Sequence, residues 1–462
     1  MNRDKHFSSI HYSLRKLHQF KILVIFLVFI QPLVGFSQPI SPSLYGQNMW
    51  LTDGAEGRIG YLDKLWPKIE ESGVNVIRIG GNGYNRKMPS IDTLTSWVTN
   101  IKAIGAEPLM QVSAFGTAKE AADLVQYFNS KPQTYIKYWS IGNEPYIIDK
   151  MPLDSVSMYL KSHASAMKKV DPKIKILAPD LAAYAEEAYE KLLLDDKLGI
   201  SGRDENGNWY IDGVNFHNYP NAKDYDRSDV IFYSVTKMRG MILKLKRDIA
   251  LADEKYGRFG EDQLTWGITE FNITYSNPDD LGVDGIAVPS FINGQFWVDV
   301  YAMAMEHEAF TVTPWCIQES DRNSTYFGYI GGPPKFTPHS TYYHMQMMSK
   351  YMRGEYLKII SNEPYLKVFG AKKNESVSVL MMNQSEGDTY QFDLSDLNKK
   401  TYSTDVRLNS EHDLKLNGNV SISPNTTLLM RFNKAGKLIY QERYDLAMAT
   451  KDHAPKSVAI KK

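Results

Sequence analysis

A single cysteine in 462 residues, Cys316, excludes any disulfide within the chain. Its setting, Thr311-Val312-Thr313-Pro314-Trp315-Cys316-Ile317, reads as a strand. Cys316 is therefore expected to be a small buried hydrophobe rather than a catalytic thiol. An excess of either charge is also missing. Lys and Arg total 53 and Asp and Glu total 53, so no field draws the chain to nucleic acid or another polyanion.

Long hydrophobic runs are absent except at residues 22–30, which are preceded by Arg15, Lys16 and Lys21 and followed by Gly35-Phe36-Ser37. Such a charged start, apolar middle and small-residue exit is the pattern of a secretory signal, expected over residues 1–37. At roughly ten residues the apolar run is short for a bilayer span. The mature protein is expected to be exported, with no stable membrane association after cleavage. A glycine-rich phosphate loop is missing as well. Gly46-Gln47-Asn48-Met49-Trp50 follows the opening of the first strand, and it does not suit a doubly wound nucleotide-binding sheet.

What is present is an alternation of apolar strand-like runs with helical patterns. The runs are 45–50, 74–79, 108–112, 136–141, 174–178, 214–217, 265–269 and 311–317. Between them, Leu62, Leu65, Trp66 and Ile69 repeat at helical spacing, as do Leu94, Trp97, Val98 and Ile101. Thr117 with Glu120 forms a capping box ahead of Leu124, Val125 and Phe128. Eight such units over residues 40–352 predict an α/β fold of the (β/α)8 TIM-barrel type. From residue 355 the pattern becomes short alternating strands, at 366–369, 376–382, 389–392, 401–406, 420–422 and 427–432, separated by turn residues. These predict a small C-terminal antiparallel β-sandwich over 355–434, and residues 435–462 read as a polar, disordered tail.

Chemistry in a barrel sits at the C-terminal ends of its strands. Those ends carry Arg78, Asn143-Glu144, His217-Asn218-Tyr219, Glu270 and Trp315, from strands two, four, six, seven and eight. Glu144 closes the run Trp139-Ser140-Ile141-Gly142-Asn143-Glu144-Pro145-Tyr146, and Glu270 closes Trp266-Gly267-Ile268-Thr269-Glu270. Pro145 keeps the residue before it out of the α region, so Glu144 is expected to be extended. Two opposed carboxylates are what glycoside hydrolysis requires: one protonates the departing oxygen and the other attacks the anomeric carbon. For that work Glu144 should hold its proton, its pKa raised by burial and by the Glu270 charge. Glu270 should stay ionised beside Arg78 and the Tyr219 hydroxyl. Trp315 offers an apolar face to a sugar ring. Gln47, Asn48, Trp50, Asn82, Tyr84 and Asp180 could line subsites, and Gln318, Glu319 and Arg322 follow the last strand. Asp279, Asp280 and Asp284 read as a solvated acidic loop, since their spacing is not that of an EF-hand. His339 and His344 lack an accompanying zinc-ligand pattern. The sequon Asn272-Ile273-Thr274 lies too near the second carboxylate to favour glycosylation.

The strand-four Asn-Glu-Pro and the strand-seven Glu resemble the retaining glycoside hydrolases of clan A, in particular families 5, 30, 39 and 44. The resemblance runs from about Tyr45 to about Lys350 and extends to the sandwich that families 30, 39 and 44 carry. It implies that Glu144 is the acid/base, Glu270 the nucleophile, Asn143 a contact to the sugar 2-hydroxyl and Arg78 the arginine beside the nucleophile. It further implies that His217 and Tyr219 match the His-x-Tyr after strand six of family 5, and Trp315 its strand-eight tryptophan. The histidine that family 5 often carries after strand three is missing, and Gln111-Val112-Ser113 stands there. The implied activity is cleavage of β-glycosidic bonds of a polysaccharide or oligosaccharide by double displacement, needing no metal or organic cofactor. A transglycosylase would use the same residues. A non-catalytic glycan-binding protein would be expected to have lost one carboxylate, and both are here.

Overall fold

The computed structural model describes residues 38–49, 62–319, 327–398, 408–410, 414 and 416–460. Strand β1 (Gln38–Pro39) leads into eight parallel strands: β2 (Gly46–Met49), β3 (Val76–Ile79), β4 (Glu107–Val112), β5 (Tyr138–Ile141), β6 (Lys175–Leu181), β7 (Gly213–Asn218), β8 (Thr265–Phe271) and β9 (Thr311–Val312). Each pairs with the next in sequence order. Tyr45 bridges Val312, and the Asn48 amide donates to the Pro314 carbonyl at 3.1 Å, so β9 meets β2 and the sheet closes into a barrel.

Helices follow the strands as the sequence spacing predicts. Leu62–Glu71 buries Leu62, Leu65 and Ile69, and Ile91–Ala103 buries Leu94, Trp97, Val98 and Ile101. Thr117 caps Ala118–Asn129 with its predicted partner Glu120. The helix Phe291–Glu306 differs: nearly every side chain along it is buried. A helix apolar all round has something on both sides. Here the barrel lies on one and the C-terminal sheet on the other.

That sheet continues through β10 (Glu355–Leu357), β11 (Ile359–Ser361), β12 (Leu366–Lys373), β13 (Ser376–Asn383), β14 (Tyr390–Asp393), β15 (Leu408–Ser410), β16 (Asn419–Ile422), β17 (Thr426–Phe432), β18 (Leu438–Asp445) and β19 (Lys456–Ala459). Seven strands form one antiparallel sheet in the order β1-β10-β12-β13-β17-β18-β19, backed by the pairs β11–β15 and β14–β16. Alternation sorts the two faces. Leu380, Met382 and Leu429 join the barrel core, while Val379, Met381, Leu428 and Met430 form a second core under the small pairs. Among the described residues, no helix is long and apolar enough to cross a membrane.

One expectation fails. Within the disordered tail expected over 435–462, the described residues to 460 form strands: β18 pairs along β17 and β19 pairs with β18. The polarity of this segment belongs to one face, and on the other Tyr444 is buried against Phe291 and His344. The strand expected at 401–406 lies outside the described residues.

Truncation before Leu438 removes Tyr444, Met448 and Ala449 from the core and bares β17 as an edge. At about 1.5–3 kcal/mol for a large buried side chain, the melting temperature should fall by about 5 °C or more. Calorimetry giving the full-length value would mean that the segment is dispensable.

Candidate active site

At the barrel mouth the chain leaves two strands through backbone that side chains rarely adopt. Gly142 has φ +76°, and a Cβ there would stand 2.8 Å from the Ala114 Cβ and 3.0 Å from the Tyr159 hydroxyl. Glu144 has φ +50° and Asp180 φ +53°. The expectation of an extended Glu144 is thus corrected. Pro145 does exclude the right-handed α region, but the chain takes the left-handed one instead. The reason is local bonding: the Glu144 amide donates to the Asp180 carbonyl at 2.8 Å, and its carbonyl accepts from Ile148 at 3.2 Å. Strain of this kind, of order 1–3 kcal/mol, survives where the surroundings over-determine it.

The side chains these strand ends present form one ionic network. Arg78, fully buried, donates from Nη1 to Glu270 Oε1 at 2.8 Å and to Asn48 Oδ1 at 3.0 Å. From Nη2 it donates to Asn143 Oδ1 at 2.6 Å and to Asp180 Oδ2 at 3.3 Å. His217 bridges the other side, with Nε2 2.8 Å from Asp180 Oδ1 and Nδ1 2.8 Å from Glu144 Oε1. Asn82 donates to Glu144 Oε2 at 2.9 Å, and the Tyr219 hydroxyl to Glu270 Oε2 at 3.1 Å. A carboxylate oxygen of Glu144, one of Glu270 and a ring nitrogen of His217 all lie within 4.8 Å of one another. These three could also ligate a metal ion, and they are the one such group among the described residues.

The electrostatics follow from this packing. Burial pulls the His217 imidazole down, but Glu270, Asp180 and Glu144 outweigh it and push it up to about 10. Burial would raise Glu144, yet the imidazolium bonded to it, the Asn82 amide and the Arg78 charge hold it below the ordinary range. Glu270 goes the other way, raised chiefly by burial and further by the Glu144 charge, against His217 and Arg78. Burial likewise opposes Asp180, but Arg78, His217 and Thr269 keep it far below the usual carboxylate range. The expected order of the two glutamates is therefore reversed in the free protein. The sequence argument weighed Glu270 as the main neighbour of Glu144, whereas the nearer group is a cation.

The strand-end residues Arg78, Asn143, Glu144, His217, Tyr219 and Glu270 come together as the sequence places them, and Asn82 joins them from the short helix Asn82–Arg86. Asp180 and Asn48 support them from below. Trp315 follows β9 at the rim, 9% exposed, with its backbone amide on the Phe271 carbonyl and its indole N–H 3.4 Å from Glu319 Oε2. Gln47 is corrected: it faces outward and donates to the Met345 sulfur at 3.2 Å. Adjacent strand residues point to opposite sides, so only one of Gln47 and Asn48 can enter the barrel. Tyr84 is corrected too, being buried with its ring 6.3 Å from that of Trp97. Trp50 and Arg322 lie outside the described residues. Gln318 and Glu319 are buried beside the rim.

The weaker signals resolve as structure. Asp279 pairs with Lys223 at the surface, and Asp280 accepts from Gly282. His339 bonds the Gly328 carbonyl, and His344 sits between Ser340 and Thr427. Cys316 is buried, and the Asn272 amide is buried against Trp315 and Asn293. Sequence reasoning missed Gln111, Asn215 and Thr269. Gln111 accepts from the Gly81 amide at 2.7 Å, Asn215 donates to Thr269 at 3.0 Å, and Thr269 bonds Asp180. Their signal was available in the period-two pattern, which turns polar residues 111, 215 and 269 inward with Arg78.

Comparison with models of protein families and with curated proteins finds no match. Solved structures do match in fold. A family 51 α-L-arabinofuranosidase from Bifidobacterium longum superposes with TM-score 0.61 at 14% identity, over 86% of this chain and 96% of that one. A family 44 xyloglucanase from Paenibacillus polymyxa gives 0.56 at 12% identity, over 86% and 97%. A monomeric β-xylosidase from Caulobacter crescentus gives 0.55 at 11%, over 86% and 97%. The shared feature is the barrel with its C-terminal sheet.

Two outcomes follow from the network. Arg78→Met leaves Asp180 and Glu270 buried without their cation, and denaturant unfolding should show a loss of about 3–5 kcal/mol. For His217 the folded value of about 10 lies above the ordinary 6.5, so its contribution is complete below about pH 6.5 and is lost as pH rises through 10. Unfolding free energy should therefore fall across that window by up to about 1.4 kcal/mol per pH unit more in the native protein than in His217→Gln. Parallel pH curves for the two would contradict the assigned charge.

Proposed function

We propose that the chain is a retaining glycoside hydrolase cleaving β-glycosidic bonds of a polysaccharide or oligosaccharide, with Glu270 as nucleophile and Glu144 as acid/base. The observation that carries this is that a carboxylate oxygen of Glu144 and one of Glu270 lie within 4.8 Å of each other. Retaining chemistry uses about 5–5.5 Å, whereas inverting chemistry needs about 6.5–9.5 Å for an interposed water.

The roles follow the hydrogen bonds. Glu270 Oε1 is held by Arg78 and Oε2 by Tyr219, which fixes the carboxylate for attack on the anomeric carbon. Glu144 enters ionised, with the proton on His217 Nδ1 at 2.8 Å. Moving that proton across the hydrogen bond gives a neutral imidazole and a carboxylic acid, which then protonates the departing oxygen. As the covalent sugar ester forms, the Glu270 charge that stabilised the imidazolium disappears. Glu144, ionised again, takes a proton from the incoming water. Asn143, fixed by Arg78 and Asn82, offers its amide to a sugar hydroxyl. Trp315 supplies an apolar face. The charged, apolar and small-residue order of residues 1–37 supports export, where polymeric glycans are met.

The test is the configuration of the first product, read by NMR on aryl β-glycosides and α-L-arabinofuranosides, the latter included because family 51 enzymes share the fold. Retention is expected, and inversion would remove the assigned roles. Glu270→Ala should lower turnover by about 10⁴-fold or more, and Glu144→Ala should spare activated aryl glycosides relative to natural ones.

A further inference from the structure

The catalytic network leaves a neighbouring groove unused. It lies between the Asn82–Arg86 helix, the loop after β4 and the helix Ala118–Asn129, with a volume of about 640 Å³. That is within the roughly 300–1,000 Å³ of ligand sites. Apolar side chains stand open along it: Phe115 is 51% exposed, Tyr127 40% and Ile91 37%. One exposed apolar residue means little, but several lining a single concavity mark a binding surface.

We propose that this groove binds further sugar units of the same glycan beyond the bond being cleaved, with Phe115 as the stacking platform. The inference rests on the glycosidase reading above. Its first support is continuity with the site. Asn82, which holds Glu144 Oε2 at 2.9 Å, and Asn85 and Arg86, which line the groove, belong to one helix of five residues. Asn85 donates to the Asn143 carbonyl at 2.6 Å, and Ser113 ties the Phe115 loop to the Asn85 carbonyl at 2.5 Å. The groove wall and the hydrogen-bond partner of Glu144 are therefore parts of one hydrogen-bonded element.

The second support is chemical. A sugar ring pairs an apolar face with a hydroxyl rim, and the groove does the same. Phe115 and Tyr127 offer ring faces, while Ser113, Thr117 and Glu120 line the margin with hydroxyl and carboxylate oxygens. The charged lining is Arg86, Glu120 and Asp123, and Arg86 is paired with Asp149 at 3.0 Å. Asp123 is paired with Lys119 at 2.6 Å, and Glu120, which caps the helix through Thr117, is the carboxylate left without a cation. The residual charge is therefore negative and favours neutral sugars over sulfated or uronic ones.

The experiment compares kcat/KM on xylo- and cello-oligosaccharides of graded length with kcat/KM on aryl glycosides of the same sugars. Native protein should gain efficiency with length. Phe115→Ala should lower the long-chain to aryl ratio by about tenfold, and Phe115→Trp should restore it. A merely structural role for Phe115 would lower both numbers together and leave the ratio alone, which would overturn the proposal. The glycosidase reading is decided by the product-configuration test above, whereas active protein that gains nothing from length, or whose length dependence survives Phe115→Ala, defeats the groove alone.

Discussion

Everything at the barrel mouth depends on one buried guanidinium. Arg78 has no exposure to water and meets two carboxylates, Glu270 and Asp180, together with the side chains of Asn48 and Asn143. Burying a cation costs several kcal/mol unless geometry and hydrogen bonds offset it. The planar fork of arginine does so here, because its two terminal nitrogens reach groups on opposite sides of the barrel axis. A lysine carries the same charge but reaches one point at a time. Arg78 opposes the burial that raises Glu270, and with His217 it holds the buried Asp180 strongly acidic. Glu270, Asp180 and Glu144 together in turn retain the proton on His217.

His217 therefore changes the meaning of the Asn-Glu-Pro glutamate. An acid catalyst is usually explained by a carboxyl whose own surroundings keep it protonated. Here burial favours the proton on Glu144, yet a nearer imidazolium outweighs it. The proton resides on the pair rather than on one member, and a 2.8 Å hydrogen bond is the whole distance between its two positions. The Glu270 charge is the largest of those holding it on the imidazole, and in the proposed double displacement it is the charge that is consumed. Glu144 and Glu270 are thus coupled through a shared histidine, 2.8 Å from the first and 3.5 Å from the second.

Most of this was legible in the sequence because a parallel barrel writes itself as apolar runs ending in chemistry. All eight barrel runs became strands, and the six strand-end residues met. The departures lie where neighbouring groups compete for one place or one proton. Gln47 and Asn48 were both assigned inward, although strand alternation admits one. Glu144 meets the cation His217 at 2.8 Å, closer than the anion Glu270, and sequence order does not give the distance between strands four and six. Tyr84 illustrates a third limit: a tyrosine near a strand end suits a sugar cleft or a helix interface equally, and contact with Trp97 decides. The segment after residue 435 was judged by average polarity, when a strand needs only one apolar face.

The C-terminal sheet is better understood as the outer wall of the barrel than as an appended module. Phe271, next to Glu270, packs its ring 5.6 Å from that of Trp297 and 6.3 Å from those of Phe296 and Tyr301, all on the helix Phe291–Glu306. The opposite side of that helix is fixed by the sheet, through Asp299 with Lys367 at 2.7 Å and Gln295 beside Thr427 at 3.3 Å. Asp299 is buried and raised by that burial, with Lys367 as the main opposing charge. Loosening the sheet would free the helix, and the helix is what holds the backbone one residue beyond the carboxylate at the centre of the site. The chain from residue 355 onward thus bears on the site by fixing the position of Glu270 through that helix.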